Sequence, residues 1–353
     1  MKGSGKIKMM RYLIFFIISL LSLSLFACAP SKAIIDTTAM DRIIWPGPPE
    51  KPRIKYQWSL SIVSGSEGGD VFEVLAGGRE DFSDPRTSNR LLRPYGLFVD
   101  ENERLYIADP GAYRLTVIDL KSREVMNITE AGDEEFLYPI GVIAYKGRIY
   151  LSDSMLRKVF IFDERGKKIG EFSGRLERPT GLAINRSKGM IYVTDTLSHR
   201  IYIYDLDGKQ LAGFGNNGDG KGEFNFPTHI WVDNHGTLYV NDSMNFRIQM
   251  LDPEGRFMGM FGSPGDWYGD LDKPKGIATD SDGNIYVVDS IKDMIKIFNR
   301  EGKLLLFFGQ NGTNYGEFWL PSGIFIDSKN NIYVSDTYNG RIQVFRYIKE
   351  AEK

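Results

Sequence analysis

The sequence predicts an all-β fold: a six-bladed β-propeller of four-stranded antiparallel blades, closed by an N-terminal strand. Three observations carry the prediction. The segment YVSDTYNGRIQVF at 333–345 recurs as YVNDSMNFRIQML at 239–251 and YVTDTLSHRIYIY at 192–204, with weaker copies at 106–118, 150–162 and 286–298. The aspartates of these copies, Asp109, Asp153, Asp195, Asp242, Asp289 and Asp336, fall 44, 42, 47, 47 and 47 residues apart. A proline-led opening precedes each copy: PYGLFVD, PIGVIAY, PTGLAIN, PTHIWVD, PKGIATD and PSGIFID. Self-similarity at a period of about 40 to 50 residues is the mark of stacked repeats that bury their faces only against one another.

Composition agrees. Thirty-eight glycines and 13% aromatic residues in 353 suit short strands joined by tight turns. One cysteine excludes an intrachain disulfide framework, so packing must supply the stability. The formal charge is −2, and four of the cations, Lys2, Lys6, Lys8 and Arg11, lie at the N-terminus. The rest of the chain carries −6, the wrong sign for a phosphate-binding surface, so no nucleic-acid partner is expected.

Those four cations precede YLIFFIISLLSLSLF at 12–26, an uncharged run too short for a spanning helix but suited to the apolar region of a secretory signal. The segment LFAC, Leu25 to Cys28, resembles a bacterial lipoprotein signal box. That resemblance implies a signal peptide over 1–27, cleavage before Cys28 and acylation of its sulfur and new amino group with three chains, as in palmitate-bearing lipoproteins. Several chains make attachment effectively permanent where one is marginal. Ala29 rather than Asp follows the cysteine, which favours an outer membrane in a Gram-negative envelope. Residues 28–52 are read as a lipidated cysteine and tether. WPGPPEKPR is proline-rich and extended, and the 24 residues from Ala29 to Pro52 span at most about 80 Å.

The propeller is expected over 53–347. Within each of the six repeats (94–347), a segment such as GIFID alternates as an inner strand, SKNN or SDGN turns the chain, IYVSD forms the second strand and RIQVF the third. A DLDG or NREG turn then leads to a fourth strand. The last repeat has no fourth strand, whereas RIKYQWSL at 53–60 is an orphan before the first. Pairing the two closes the ring and removes an exposed edge. Residues 61–93 are read as an irregular insertion in which DVFEVLAGG forms a helical turn or two, and 348–353 as a charged tail.

The proline–glycine opening, the YVxD[ST]xNxRI core and the DxxG turn together resemble NHL repeats across about residues 94–347. The resemblance implies a six-bladed β-propeller.

Strand order puts the prolines, the repeated aspartates and three long connections at one end of the ring. These connections are FGNNGDGKGEFNFP, FGSPGDWYGDLDKP and FGQNGTNYGEFWLP. This proline end is the expected ligand-binding face, because loops on a rigid scaffold are where binding groups sit. Five residues after the aspartates stand Arg114, Lys158, Arg200, Arg247, Met294 and Arg341, with Met294 and Asp293 breaking the pattern in the fifth blade. Arg114, Arg200, Arg247 and Arg341 either receive an anionic ligand or pair with neighbouring carboxylates and carbonyls. Trp267 and Tyr338 join the candidate face from its loops. His229 replaces the glycine of the other five openings, so it is read as a ligand-contacting or acid–base group near the axis, or as a hydrogen-bonded rim residue. His199 falls at the same end and His235 at the opposite one.

No catalytic residue, metal or cofactor is assigned. Amidating lyases with similar repeats hold zinc through three channel histidines, a number this chain does not bring to one end, and calcium finds no demanding spacing among the acidic loops. RNA-binding relatives use a basic cytoplasmic surface, which is not expected here. The leading expectation is a membrane-anchored, extracytoplasmic propeller of the cell envelope that binds or scaffolds a protein, peptide or glycan. The alternative is a metal-dependent extracytoplasmic hydrolase or lyase with an axial-channel site. A Cys28→Ser variant is expected to leave the membrane fraction for the soluble one; retention in the membrane would refute the lipid anchor.

Overall fold

The structure, a computed structural model, describes residues 31–65 and 84–349. Each blade is a four-stranded antiparallel meander. In blade 3 the strands are Pro179–Asn185, Met190–Asp195, Arg200–Tyr204 and Gln210–Phe214, in order from the axis outward. Blades 1, 2, 4 and 5 repeat the pattern from Leu97, Pro139, Pro227 and Pro274. Blade 6 takes three strands from the C-terminus, Ile324–Ile326, Asn331–Asp336 and Arg341–Tyr347. Its fourth is Ile54–Gly65, which pairs antiparallel with Arg341–Tyr347 from Ile342↔Leu60 to Tyr347↔Ile54. The expected N-terminal closure is therefore present and ends at Leu60, as predicted, while the strand itself runs five residues further.

The second strand shows why each repeat keeps its tyrosine. Tyr106, Tyr150, Tyr192, Tyr239, Tyr286 and Tyr333 are buried between blades. In four blades the phenol donates to the aspartate that opens the hairpin turn of its own blade, as in Tyr106 to Asp100 at 2.9 Å and Tyr286 to Asp280 at 3.0 Å. Tyr150 and Tyr192 instead donate to Leu206 and Pro253 carbonyls in the next blade's outer turn. The rings supply the apolar burial, and the hydroxyls leave no unpaired donor inside.

The opening glycines solve a different problem. A Cβ on Gly141 would lie 2.1 Å from the Thr180 carbonyl oxygen, and one on Gly323 would lie 2.0 Å from that of Tyr95. Inner strands approach so closely around the axis that a side chain there forces neighbouring blades apart. A hydroxyl on the second strand completes the contact: Ser152 donates to Thr180 O at 2.6 Å, and Thr194 to Thr228 O at 2.9 Å.

The tether departs from expectation. Over residues 32–52 the chain is folded onto the propeller rather than extended away from it. Lys32–Asp36 pairs with the closing strand as a fifth strand of blade 6, and the Ala33 amide reaches the Arg123 carbonyl of blade 1 at 2.8 Å. Ile44–Trp45 pairs with Ile54 and Lys55. The Trp45 ring lies 5.4 Å from that of Phe308 and 5.7 Å from that of Phe345, and Tyr315 donates to Asp36 at 2.6 Å. Phe345, fully buried, also meets Tyr56, Phe308 and Phe318, so the strap seals the seam between blades 5 and 6. Proline content suggested an extended chain, but the aromatic surface of that seam captures it.

The insertion also resolves in part. Residues 84–93 hold a single 3₁₀ turn, Pro85–Thr87, capped by Asp84, and serve as the long connection into blade 1. The expected helical turns of DVFEVLAGG, like the signal peptide, Cys28 and the tail from 350, lie outside the described residues.

Because Trp45 is half-buried in the seam, Trp45→Ala is expected to cost about 2 kcal/mol of unfolding free energy in chemical denaturation. An unchanged midpoint would mean that the segment is a free tether.

Candidate functional site

The proline end is organised by the six repeated aspartates, all of which are fully buried. Each accepts backbone N–H groups of the loop that precedes its own proline. Asp109 takes Leu92 and Arg93, Asp153 takes Leu137 and Tyr138, Asp195 takes Glu177 and Arg178, and Asp289 takes Asp272 and Lys273, at 2.6 to 3.2 Å. Asp242 and Asp336 hold Asn225 and Trp319 in the same way. The carboxylate thus stitches the end of the second strand to the entry of the first.

The cations that follow clamp the long loops. The Arg247 guanidinium donates to Asp242 at 2.8 Å and to the carbonyls of Asp219, Gly220 and Glu223 at 2.6 to 3.1 Å. Arg341 repeats this with Asp336, Asn314 O and Glu317 O. Arg114, buried, grips the carbonyls of Arg86, Ser88 and Arg90. In blade 5 the work passes from the missing arginine to Lys296, which donates to Asp289 at 2.7 Å and Asp270 O at 2.5 Å. Asp293 is engaged as well, by the Leu320 amide and the Asn311 side chain. The loop before blade 3 is short, and Arg200 there clamps nothing: it lies over the Tyr202 ring at 5.7 Å with its Nε unpartnered. Of the two readings of these arginines, loop clamping describes Arg114, Arg247 and Arg341. Their guanidinium NH groups reach loop carbonyls inside the protein, although the Arg114 Nε has no partner.

His229 lies at the axis, as the sequence suggests. Its ring stacks on Tyr95 from blade 1, with centroids 5.4 Å apart and planes at 18°. Lys275 from blade 5 brings its ammonium to 5.4 Å from the centre of the same tyrosine ring. Burial, with the nearby Lys275 charge, pushes the His229 imidazole down to about 3, so it is neutral near pH 7. Burial, with Lys273 beside it, pushes the Lys275 ammonium down to about 8. Burial raises the Tyr95 phenol. A side chain in place of glycine requires more room at the blade 4–5 seam. There Asn241 stands where Ser152 and Thr194 stand in other blades, and its longer arm reaches Lys275 O at 2.6 Å. Tyr95 and Lys275 are missing from the sequence-based set. Their signal was present in the residue after each opening proline, Tyr, Ile, Thr, Thr, Lys and Ser, where one aromatic and one cation stand among smaller groups.

An axial cavity of about 430 Å³ begins at this stack. Tyr95, Ile140, Thr180, Thr228 and His229 line its proline end, Phe98, Trp231 and Phe325 its walls, and Asp100, Glu101, Asp233, Asp280 and Asp327 its far mouth. The mouth therefore lies opposite the expected face. Its aspartates are occupied in hairpin turns: Asp233, for instance, accepts the His235 and Thr237 amides.

The outer surface of the proline end carries exposed apolar side chains. Two residues after the buried aspartates of blades 2 to 6 come Met155, Leu197, Met244, Ile291 and Tyr338, all exposed. Phe226, Trp319, Tyr268 and the 83% exposed Trp267 join them. The imidazole of His199 accepts the Phe226 amide at 3.1 Å and meets its ring edge-on, so this histidine positions an aromatic side chain of the face. Tyr338 packs on Trp319 and under the Arg93 guanidinium.

Family comparisons agree with the repeat architecture. A model of the NHL repeat matches residues 318–345, one described as a 6-bladed beta-propeller matches 181–260, and one described as a beta-propeller repeat matches 268–288. The chain is a six-bladed β-propeller with an NHL repeat at 318–345. No curated protein sequence matches it. Among solved structures it is similar to a streptogramin B lyase, at 14% identity and a TM-score of 0.55 over 72% of this chain and 93% of that one. It is also similar to virginiamycin B lyase from Staphylococcus aureus, at 16% and 0.54 over 74% and 97%. A Bacteroides thetaiotaomicron protein of unknown function matches at 15% and 0.57 over 74% and 70%. At these identities the likeness is one of fold.

The buried neutral imidazole has a pH consequence for this propeller. His229 binds its proton far more weakly folded than unfolded, so the unfolded chain gains protons as pH falls through 6.5, its ordinary value. Stability from this group is present above that pH and lost progressively towards 3. Between pH 7 and pH 5 the melting temperature of wild type should fall further than that of His229→Gln, and parallel falls would contradict the assignment.

Proposed function

We propose that this propeller is a lipid-anchored, extracytoplasmic binding module that docks a protein or peptide on its proline end. The observation that carries the reading is the ring of exposed apolar side chains, Met155, Leu197, Met244, Ile291 and Tyr338, at one equivalent position in five blades, widened by Trp267, Tyr268 and Trp319. Isolated exposed apolar residues are ordinary, but a repeated set rich in aromatic residues and methionine on one face has the composition of a recognition surface. Buried aspartates and arginine clamps hold the loops beneath it, so the surface is organised before a partner arrives and binding loses less conformational entropy.

The anchor belongs to the same proposal. With residues 32–52 folded onto blade 6, only four peptide steps separate Cys28 from Lys32, at most about 14 Å of chain. A lipid on Cys28 thereby keeps the propeller close to the bilayer surface rather than on a long stalk. The metal-dependent hydrolase or lyase fits less well: among the described residues no three His, Cys, Asp or Glu side chains converge as a donor set.

Capture from solubilised native envelopes tests the docking face, with wild type compared against Met244→Asp/Ile291→Asp/Trp267→Ala. The three positions are exposed, so the variant should melt within a few degrees of wild type. Loss of a protein partner by tenfold or more is expected. Undiminished capture, or recovery of a glycan alone, would contradict the proposal.

A further inference from the structure

At the axial centre of the apolar face, Tyr95, His229 and Lys275 from three different blades meet around one aromatic ring. We propose that this cluster receives a carboxylate carried by an apolar peptide segment, the segment itself lying on the surrounding ring of apolar side chains. The inference rests on the docking face proposed above and specifies what that face recognises.

Charge is the first argument. Lys275 forms no ion pair among the described residues, although its side chain is half-buried. Its ammonium sits over the Tyr95 ring, and the charge that acts on it is another cation, Lys273. Arg178 lies near Tyr95 from blade 3, and Arg93 lies over Tyr338 from blade 1. The acidic neighbours are directed elsewhere: Asp272 pairs with Lys292 at 3.4 Å, and Asp195 and Asp289 are spent on loop amides. A partly desolvated cation without a counter-charge is a standing cost that an arriving anion removes.

The chemistry of the pocket narrows the anion. The neutral His229 imidazole carries one N–H, the Tyr95 phenol keeps its proton, and Lys275 supplies ammonium donors, so the cluster offers hydrogen bonds to an acceptor with two oxygens. Among the described residues none of the three lies beside a helix N-terminus that would suit a phosphodiester chain. Tyr138 lies near Tyr95, and the exposed apolar side chains stand at the same end of the ring, a setting for hydrophobic side chains next to the acid. Lys275, Lys273, Arg178 and Tyr138 do not line the axial cavity, which places the site on the proline-end side of the Tyr95–His229 stack.

Full-length protein in detergent micelles, titrated with N-acetyl-Leu-Phe as the free acid and as its C-terminal amide, tests the inference through the His229 imidazole resonances. The acid should shift them with a millimolar or better dissociation constant, at least about tenfold tighter than the amide. Lys275→Met should erase that preference without lowering the melting temperature. Near pH 8.5 the acid should bind wild type with uptake of protons, seen as a buffer-dependent heat, and bind Lys275→Met without it. Equal affinity of acid and amide, a preference that survives in Lys275→Met, or no shift at tens of millimolar would overturn the inference. Acetate alone binding as tightly as the peptide acid would overturn its peptide part. If acid and amide bind equally and both need Met244 and Ile291, the carboxylate inference fails and the docking face stands. If the acid preference holds while the envelope partner ignores those residues, the docking face fails instead.

Discussion

One contact, repeated six times, determines most of this protein: a buried aspartate that accepts the backbone amides of the loop leading to its own proline. The aspartate ends the second strand of each blade and grips the residues just ahead of the first. That grip sets where the proline enters the ring, and the proline sets the glycine that lets one inner strand lie against the next. Arginine and lysine side chains build outward from the same carboxylates to hold the longer loops. Such networks cost much when half made and little when complete, because each buried charge and each loop amide has its partner.

The fold was legible in the sequence because this contact leaves its trace at fixed spacing. An aspartate at a near-constant interval, a proline about fifteen residues before it and an orphan strand at the other end of the chain sufficed to place every blade and the closure. The strap was not legible. Residues 32–52 have no repeat to match, and their partner is the aromatic seam made by Phe308, Phe318 and Phe345, which exists only once blades 5 and 6 are assembled.

The site was legible in part. His229 stood out because it breaks a pattern, and the structure brings it to the axis. Arg114, Arg247 and Arg341 stood out because they keep a pattern, and keeping it reflects a structural task, since every blade with a long loop needs its carbonyls held. Tyr95 and Lys275 escaped notice because the position after the proline varies freely, so nothing in one repeat marks it as axial. The apolar ring escaped for a related reason: Met155, Leu197, Met244, Ile291 and Tyr338 share a position but no residue type. Symmetry in this protein supports the scaffold, and the proposed carboxylate site lies where the symmetry fails.

Native-state hydrogen exchange on an Asp195→Asn variant tests the central contact most directly. The asparagine keeps one acceptor but turns an N–H₂ towards the second loop amide, so one of the two hydrogen bonds to Glu177 and Arg178 is lost. The account predicts that these two amides lose protection by local opening while the inner strands of all six blades retain theirs. Glu177 and Arg178 amides as protected as in wild type would show that the loop is held by something other than the buried aspartate, and would contradict it.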